Sequence, residues 1–232
     1  MNETILIVDD EKEIADLIEL YLKNDGYDVK KFYSGIEALS YAEKNAVDLA
    51  ILDVMLPDID GFHICGKIRE KHYYPIIMLT AKVEENDKIM GLAIGADDYI
   101  TKPFNPLEVT ARVKAQLRRY IKYNTGGESE KTVEEIDING LVINKSNHKC
   151  CLYDKEIILT PIEFSTLWHL CLNRGKVVSS EELYEAVWGE KYLDSNNTVM
   201  AHIARLREKL GEPARNPRFI KTVWGVGYKI EK

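Results

Sequence analysis

The sequence predicts an α/β domain, a doubly wound five-stranded parallel sheet, followed by a smaller α+β domain. Short β-branched apolar segments alternate with helical periodicity five times within about the first 120 residues, and this alternation is typical of a parallel sheet with helices on both faces. Residues 1–120 carry 22 acidic and 15 basic side chains, whereas residues 198–232 carry 3 and 8. A polar segment with two glycines lies between these regions, at 124–131. We therefore expect one domain at 1–122, a flexible linker at 123–131 and a second domain at 132–232, with different partners.

Each predicted strand of the first domain is short, apolar and rich in β-branched residues. The strands cover 4–8, 27–33, 47–52, 76–80 and 98–101. Helical spacing follows each strand: the first helix ends at Gly26, the second opens at Ser34, and the others cover 61–71, 84–94 and 106–120. The apolar side of each helix is expected to pack on the sheet.

The second domain begins with β-like segments at 133–138, 141–143 and 149–153. A helix start follows, because Thr160, Pro161 and Glu163 have the order of an N-cap, a first-turn proline and a capping-box glutamate. Further helices are expected from Ser179 to about 188 and from about 195 to 210. The chain closes with a hairpin at 219–230. Three helices and a terminal hairpin after a small sheet predict a winged helix-turn-helix domain.

Composition excludes several classes of protein. The net charge of −7 argues against a nucleic-acid binder that uses its whole surface. No apolar run approaches the roughly 20 residues that span a bilayer, and the N-terminal residues lack the basic region of a secretory signal. The four cysteines show no C-x-x-C spacing. We therefore expect reduced structural thiols and a cytoplasmic protein.

Polar residues stand at the ends of four predicted strands. Asp9 and Asp10 follow the first strand, Asp53 follows the third, Thr80 ends the fourth and Lys102 follows the fifth. Because the carboxyl ends of parallel strands line one crevice, we expect these side chains to converge. Carboxylates are the oxygen ligands that Mg²⁺ prefers, and the lysine and the threonine can donate to phosphate oxygens. The set therefore predicts a magnesium-assisted phosphate site.

Each of these residues taken alone has a simpler structural explanation. An Asp-Asp pair before a helix is commonly an N-cap, a threonine at a strand end is commonly a cap, and Lys-Pro is commonly a solvated turn. Their joint placement at strand ends favours a site. No glycine-rich loop follows the first strand, which argues against nucleotide binding. No His or Ser accompanies the carboxylates in these motifs, which argues against acyl hydrolysis.

The first domain resembles the receiver domain of bacterial two-component response regulators. The matching motifs are Ile7-Val8-Asp9-Asp10-Glu11, Asp53-x-x-Leu56-Pro57-x-x-x-Gly61, Leu79-Thr80-Ala81, Gly95-Ala96-Asp97-Asp98-Tyr99 and Thr101-Lys102-Pro103-Phe104. The resemblance implies that Asp53 takes a phosphoryl group from a phosphohistidine of a sensor histidine kinase. It implies Mg²⁺ bound by Asp10, Asp53 and the Met55 backbone carbonyl, with help from Asp9. It also implies a cis bond between Lys102 and Pro103, which the sequence permits.

The resemblance implies a switch and a dimer as well. In similar receivers the Thr80 hydroxyl moves toward the phosphoaspartate, and Tyr99 turns inward to fill the vacated space. The whole chain resembles the OmpR/PhoB subfamily, in which charged residues of the last receiver helices pair across a two-fold axis. The corresponding pairs here are Lys88–Glu108, Asp97–Arg112 and Asp98–Arg119. We therefore expect a homodimer that phosphorylation favours.

The helix at 195–210 is a candidate recognition helix for the major groove, although an amphipathic surface helix is the simpler alternative. The segment resembles the winged-helix effector of the same subfamily, which implies that Ala201 and Arg205 face bases. It implies phosphate contacts from Thr198, His202, Arg207 and Lys221. Because two outward alanines are expected on this helix, part of the specificity should come from thymine-methyl contacts and DNA shape.

The tip of the terminal hairpin departs from the family pattern. Several family members carry an arginine there for the minor groove, whereas this chain has Trp224. A direct minor-groove contact by a cation is therefore not expected at this position. We expect Trp224 to pack on a sugar or on the recognition helix instead.

The whole resemblance implies a phosphorylation-activated transcriptional regulator. Residues 74–80 and 220–230 look like the VanR-type regulators of glycopeptide resistance. The implied partners are a sensor histidine kinase, promoter DNA and RNA polymerase. Two alternatives remain: a Mg²⁺-dependent phosphohydrolase that uses Asp53 as a turnover nucleophile, and a constitutive DNA-binding protein with an inactive receiver. Against the first, the residue two positions after Asp53 is Met55 rather than a general acid.

Overall fold

The computed structural model describes residues 2–81, 95–125, 135–189, 192, 196–213 and 215–231. The chain divides into two compact units, Met1–Tyr120 and Ile121–Lys232, and each unit is described by itself. The helix expected at 84–94, which includes Lys88, lies outside the described residues. Among the described helices, none has both the length and the apolar composition that a membrane crossing requires.

The first unit contains the expected parallel sheet. Its strands are β1 (Thr4–Val8), β2 (Asp28–Phe32), β3 (Leu49–Asp53), β4 (Ile76–Ala81) and β5 (Asp98–Lys102). Neighbouring strands are parallel and lie in the order β2-β1-β3-β4-β5. This order is the flavodoxin-like form of a doubly wound sheet, and it puts the ligand crevice between β1 and β3. The fold class predicted from the alternating segments is confirmed.

Helices cover both faces of this sheet. They are α1 (Lys12–Asn24), α2 (Gly35–Ala42), α3 (Gly61–Arg69) and α4 (Pro106–Thr125). Alternate residues of each strand enter two separate cores, so that Leu6 and Leu52 pack on one face and Ile7 and Ile51 pack on the other. Burial on both faces explains why β1, β3 and β4 are almost continuously apolar rather than alternating.

The last helix of the first unit is longer than predicted. We expected α4 to end at Tyr120 and a linker to begin at 123, whereas the helix continues to Thr125. Residues 121–125 contain no glycine or proline, and the first glycines of the segment are Gly126 and Gly127. These five residues therefore allow the helix to continue past the expected end.

The second unit has a winged helix-turn-helix plan. It opens with an antiparallel sheet of β6 (Glu135–Ile138), β7 (Leu141–Asn144), β8 (Lys149–Leu152) and β9 (Lys155–Glu156). Three helices follow, α5 (Pro161–Leu172), α6 (Ser180–Trp188) and α7 (Asn196–Lys209). The expected capping box begins α5: the Thr160 N–H donates to Glu163 Oε2 at 2.8 Å, and the Glu163 N–H donates to Thr160 Oγ1 at 3.4 Å.

The terminal hairpin belongs to a three-stranded sheet. Strands β10 (Val178–Ser179), β11 (Ile220–Val223) and β12 (Gly227–Ile230) lie in the order β10-β12-β11. A Cβ at Gly227 would lie 2.0 Å from the Val178 carbonyl oxygen, so only glycine permits this approach. Sequence analysis missed β10 because a two-residue strand has no measurable periodicity.

Candidate functional site

Three carboxylates converge at the carboxyl edge of the parallel sheet. Asp9 and Asp10 follow β1, Asp53 ends β3, and one oxygen from each lies within 4.8 Å of the others. Asp9 and Asp53 are buried, whereas Asp10 is exposed. The pairing of β1 with β3 brings the two strand ends together. The convergence expected from the sequence is therefore present for these three residues.

Lys102 supplies the counter-charge. Its Nζ lies 2.8 Å from Asp9 Oδ2, 2.9 Å from Asp53 Oδ2 and 3.1 Å from Glu11 Oε1. Burial acts to lower the pKa of this lysine, but its hydrogen bonds to Asp9 and Asp53 outweigh burial and raise the pKa above its ordinary value. Lys102 is therefore fully charged at neutral pH. The Lys102–Pro103 bond is cis, as the family resemblance implied.

The donor set fits a hard divalent cation. Burial raises the pKa of Asp9 to about 6, although the hydrogen bond and the charge of Lys102 oppose the rise. The single positive charge of Lys102 thus offsets the negative charge of the carboxylates only in part. All the side-chain atoms that could bind a metal here are carboxylate oxygens, and the site opens to solvent at Asp10. Oxygen ligands with room for water are what Mg²⁺ requires.

Thr80 and Tyr99 lie on the strands that continue this edge. Strand β4 pairs Leu79 with Asp53, so the next residue, Thr80, lies one position beyond Asp53. Its buried hydroxyl donates to the Ala81 carbonyl at 2.9 Å. Tyr99 on β5 is half-buried and packs against the core. The Met55 N–H donates to Asp53 Oδ1 at 3.2 Å, which turns the loop after β3 around the Asp53 carboxylate.

Asp97, which was expected to pair with a second copy, forms its contacts within its own chain. Asp97 is 1% exposed, its carboxylate lies 2.7 Å from Arg69 Nη2, and it accepts from the Ile76 N–H at 2.8 Å. In this conformation the Asp97 carboxylate is bound within its own chain, and the pair with Arg112 of a second copy stays a prediction. No sequence pattern predicts this ion pair, because Arg69 lies on α3, which is distant from Asp97 in the chain.

The other charged residues of this face also pair within one chain. Arg112 lies 3.0 Å from Asp98 and 3.0 Å from Glu108, whereas Asp98 was expected to pair with Arg119. Arg119 is half-buried on α4. Glu108 keeps an exposed side chain, so it remains accessible to a second copy. The expected pair Lys88–Glu108 involves a residue outside the described part of the chain.

The candidate recognition helix is more deeply packed than expected. Ala201 and His202, which we expected to face DNA, are buried, and the His202 ring packs edge-on against Trp188 at 5.2 Å. Arg205 is 7% exposed, and its Nη2 lies 3.3 Å from Oε1 of the fully buried Glu163. In this conformation none of the three faces solvent, and the expected base contact by Arg205 requires it to leave Glu163.

The expected phosphate contacts fall into two groups. Arg207 is half-buried, donates to the Ile220 carbonyl at 2.7 Å and to Thr222 Oγ1 at 2.8 Å, and so links α7 to the hairpin. Thr198 and Lys221 are half-buried. At the hairpin tip Trp224 is 90% exposed. The alternative in which Trp224 packs on the recognition helix is therefore wrong.

Three acidic residues form contacts that the sequence did not predict. Glu11 reaches Lys102, and its place directly after the Asp-Asp pair could have suggested this. Glu163 was assigned only to a helix cap, yet it also binds Arg205 and Lys209. Asp58 bonds to the start of α2, and the turn composition around it gave no signal for that contact.

The two units define a class of protein: a receiver with an acidic site at the carboxyl edge of its sheet, together with a winged-helix DNA-binding domain. Residues 5–114 match the family described as the response regulator receiver domain. Residues 154–230 match the family described as transcriptional regulatory protein, C terminal. The chain belongs to the two-component response regulators of the OmpR/PhoB type.

Individual relatives match over the full length. The chain is 63% identical to the regulatory protein VanRc of Enterococcus gallinarum over 232 residues, and the match covers 100% of both chains. It is 60% identical to the regulatory protein VanR of Enterococcus faecium, again over 100% of both. Among solved structures, DrrB, a Thermotoga maritima OmpR/PhoB homologue, shares 35% identity over 100% of both chains, with a TM-score of 0.53.

Proposed function

We propose that Asp53 accepts a phosphoryl group from a phosphohistidine of a sensor histidine kinase, and that its occupancy controls DNA binding. The contact of Lys102 Nζ with both Asp53 and Asp9 carries this proposal. An Asp53 oxygen attacks phosphorus, the P–N bond to the kinase histidine breaks, and the imidazole leaves and takes up a proton. The product is an acyl phosphate on Asp53.

The surrounding residues have separate roles in this transfer. Mg²⁺ bound by Asp10, Asp53 and the Met55 carbonyl, with Asp9 assisting, would neutralise charge on the transferring group. Lys102 holds one phosphoryl oxygen by charge and hydrogen bonding. The Thr80 hydroxyl exchanges the Ala81 carbonyl for another phosphoryl oxygen, and Tyr99 moves into the space left. Phosphorylation thereby shifts the equilibrium between two conformations of the receiver.

We propose storage of the phosphoryl group rather than substrate turnover. Met55 follows Asp53 at the position where a phosphohydrolase would need a general acid, and its side chain is exposed. Without proton donation to a leaving group, hydrolysis of phosphate esters by Asp53 should be slow. The protein would then lose its own phosphoryl group slowly and show no sustained turnover.

The DNA-binding step involves the second unit. Strands β11 and β12 carry Lys221 and Lys229 opposite each other, and residues 198–232 have an excess of five basic side chains. We propose that phosphate contacts come from Thr198 and Lys221, and that Arg205 reads a base after it leaves Glu163. Phosphorylation would favour a homodimer through β5 and α4, with Glu108, Asp98, Arg112 and Arg119 at the interface, and promoter-bound dimers would contact RNA polymerase.

Intact-mass analysis after incubation with a small phosphodonor and Mg²⁺ tests the first step. We expect an adduct of one phosphate in the wild type and none in Asp53→Asn. Asp25→Asn is a matched control, because Asp25 lies on the surface of the same unit, paired with Lys114. The absence of an Asp53-dependent adduct would support the constitutive DNA-binding alternative. Sustained release of phosphate from small esters would support the phosphohydrolase instead.

We propose that the regulated genes are glycopeptide-resistance genes. The support is the full-length identity of 63% to VanRc and 60% to VanR. Genomic footprinting with the phosphorylated protein identifies the operators directly. Sites confined to genes unrelated to cell-wall precursors would contradict this assignment while leaving the phosphoacceptor chemistry intact.

A further inference from the structure

Asp58 connects the phosphoacceptor loop to a neighbouring helix. It lies five residues after Asp53, in the segment between β3 and α3. Its Oδ2 accepts from the Ser34 hydroxyl at 2.7 Å and from the Ile36 N–H at 3.0 Å, and its Oδ1 accepts from the Gly35 N–H at 3.1 Å. The carboxylate thus satisfies the first amides of α2, which no residue of that helix can satisfy.

These hydrogen bonds favour the charged form of the carboxylate. Donation from the Ile36 amide and the Ser34 hydroxyl holds the pKa of Asp58 well below its usual range, although its side chain is largely exposed. A carboxylate at a helix N-terminus also interacts favourably with the helix dipole. The link between the loop and α2 is therefore present throughout the neutral pH range.

The segment 54–60 also makes close backbone and side-chain contacts near both of its ends. The Gly61 N–H donates to the Val54 carbonyl at 3.0 Å, and a Cβ at Gly61 would lie 2.1 Å from the Asp53 carbonyl oxygen. A Cβ at Gly35 would lie 2.5 Å from Ile59 Cγ2. Close contacts therefore restrain this segment at Gly61 beside β3 and at Ile59 beside α2, although most of its side chains are exposed. Small shifts at α2 would reach the acceptor.

Met55 lies between Asp53 and the contact that Asp58 makes with α2. Its N–H bonds to Asp53 Oδ1, while its side chain is exposed and gives the loop little packing. Only Leu56 and Pro57 separate Met55 from Asp58, so the contact of Asp58 with α2 restrains the backbone that carries the Met55 carbonyl. Within this segment Asp58 is the residue whose side chain bonds to an element outside the loop and α3.

We propose that Asp58 is a positioning residue of the phosphoacceptor site: by fastening the loop at 54–60 to the N-terminus of α2, it orients the Met55 carbonyl toward the divalent cation. This proposal rests on the proposed function of Asp53. Residues that orient the ligands of a metal commonly change its affinity about 10-fold or more when removed. A residue that only capped α2 would change stability and leave cation affinity unaltered.

Calorimetric titration of the unphosphorylated full-length chain with Mg²⁺ separates these roles. We expect Asp58→Ala to weaken Mg²⁺ binding about 10-fold. Asp58→Asn keeps one acceptor oxygen, so its Mg²⁺ affinity should lie between those of the wild type and Asp58→Ala. Ser179→Ala is the matched control, because Ser179 caps α6 in the other unit by accepting from the Glu182 N–H at 3.0 Å. It should lower the melting temperature similarly and leave Mg²⁺ affinity unchanged.

Phosphorylation kinetics give a second readout. With a small phosphodonor, Asp58→Ala should need about 10-fold more Mg²⁺ for half-maximal rate, and should reach within two-fold of the wild-type rate at saturating Mg²⁺. If Asp58→Ala does not fold, the Mg²⁺ affinity of Asp58→Asn alone tests the role of Asp58. Mg²⁺ affinity within two-fold of the wild type in a folded variant overturns the role of Asp58. A wild type that binds no Mg²⁺ overturns the metal site itself, and the inference with it.

Discussion

Lys102 Nζ lies 2.9 Å from Asp53 Oδ2, across the parallel pairing of β4 with its two neighbouring strands. The same nitrogen lies 2.8 Å from the buried Asp9. One cation thus joins the ends of β1, β3 and β5. The contact holds the Asp53 carboxylate in place, and it makes the stability of the unit dependent on local charge.

Lys102→Gln should destabilise the first unit and make it depend on Mg²⁺. Removing one partner from a buried ion pair costs about 3 kcal/mol or more, because Asp9 and Asp53 would lose their counter-charge. Thermal unfolding with and without Mg²⁺ measures this, and added Mg²⁺ should restore part of the loss. Lys114→Gln removes a surface pair with Asp25 and should cost at most about 1 kcal/mol. Equal losses in both variants would contradict the prediction.

Glu163→Gln should destabilise the second unit at neutral pH and alter its pH dependence. Burial acts to raise the pKa of Glu163, but the charges of Arg205 and Lys209 outweigh it, and the pKa lies below its ordinary value of 4.5. The charged form therefore stabilises the fold above about pH 4.5, and this contribution is lost as pH falls through the lowered folded pKa. At pH 7 the variant should lose about 3–5 kcal/mol.

Chemical denaturation of Glu163→Gln and the wild type at several pH values tests this. The difference in unfolding free energy should be largest at neutral pH and should narrow below about pH 4. Glu231→Gln is the control, since Glu231 pairs with Lys221 at the surface at 3.3 Å. A loss in Glu163→Gln that stays constant from pH 3 to 7 would show that the ion pairs are not its cause.

The parts of the site that the sequence predicted are those that chain connectivity determines. Asp9, Asp53 and Lys102 meet because each stands at the carboxyl end of a parallel strand, and such ends share one edge of a sheet. The pattern of apolar strands also placed Thr80 on the same edge. Alternation and spacing along the chain were sufficient for these residues.

The parts that were missed depend on contacts between distant elements. Arg205 was expected at the DNA surface, but its direction is determined by the buried Glu163 on another helix. Asp97 was expected at a dimer interface, but Arg69 holds it inside the unit. In both cases an ion pair between two helices or between a helix and a strand decides which way a charged side chain points. Periodicity within one element contains no information about its partner.

The cysteines should differ strongly in reactivity. Burial raises the pKa of Cys150 to about 12 and that of Cys171 to about 12, whereas Cys151 is half-buried. Because the thiolate is the reactive form, iodoacetamide at pH 8 should modify Cys151 first and the other thiols only after unfolding. Mass spectrometry follows the labelling, and Cys151→Ser should remove the fast phase. Two equally fast thiols in the native protein would contradict this expectation.

Trp224 should report DNA binding by its fluorescence. Trp168 and Trp188 are buried, whereas Trp224 is 90% exposed at the hairpin tip, so quenching by acrylamide should act mainly on Trp224. Trp224→Phe should remove the quenchable component and change unfolding free energy by no more than about 0.5 kcal/mol, as is usual for surface substitutions.

Phosphorylated wild type bound to operator DNA should be protected from acrylamide, because a sugar or base surface covers the ring. Trp224→Phe should bind the same DNA more weakly, whereas Val226→Ala, a change at the same exposed tip, should bind nearly normally. Unchanged quenching in the complex would show that the ring makes no DNA contact.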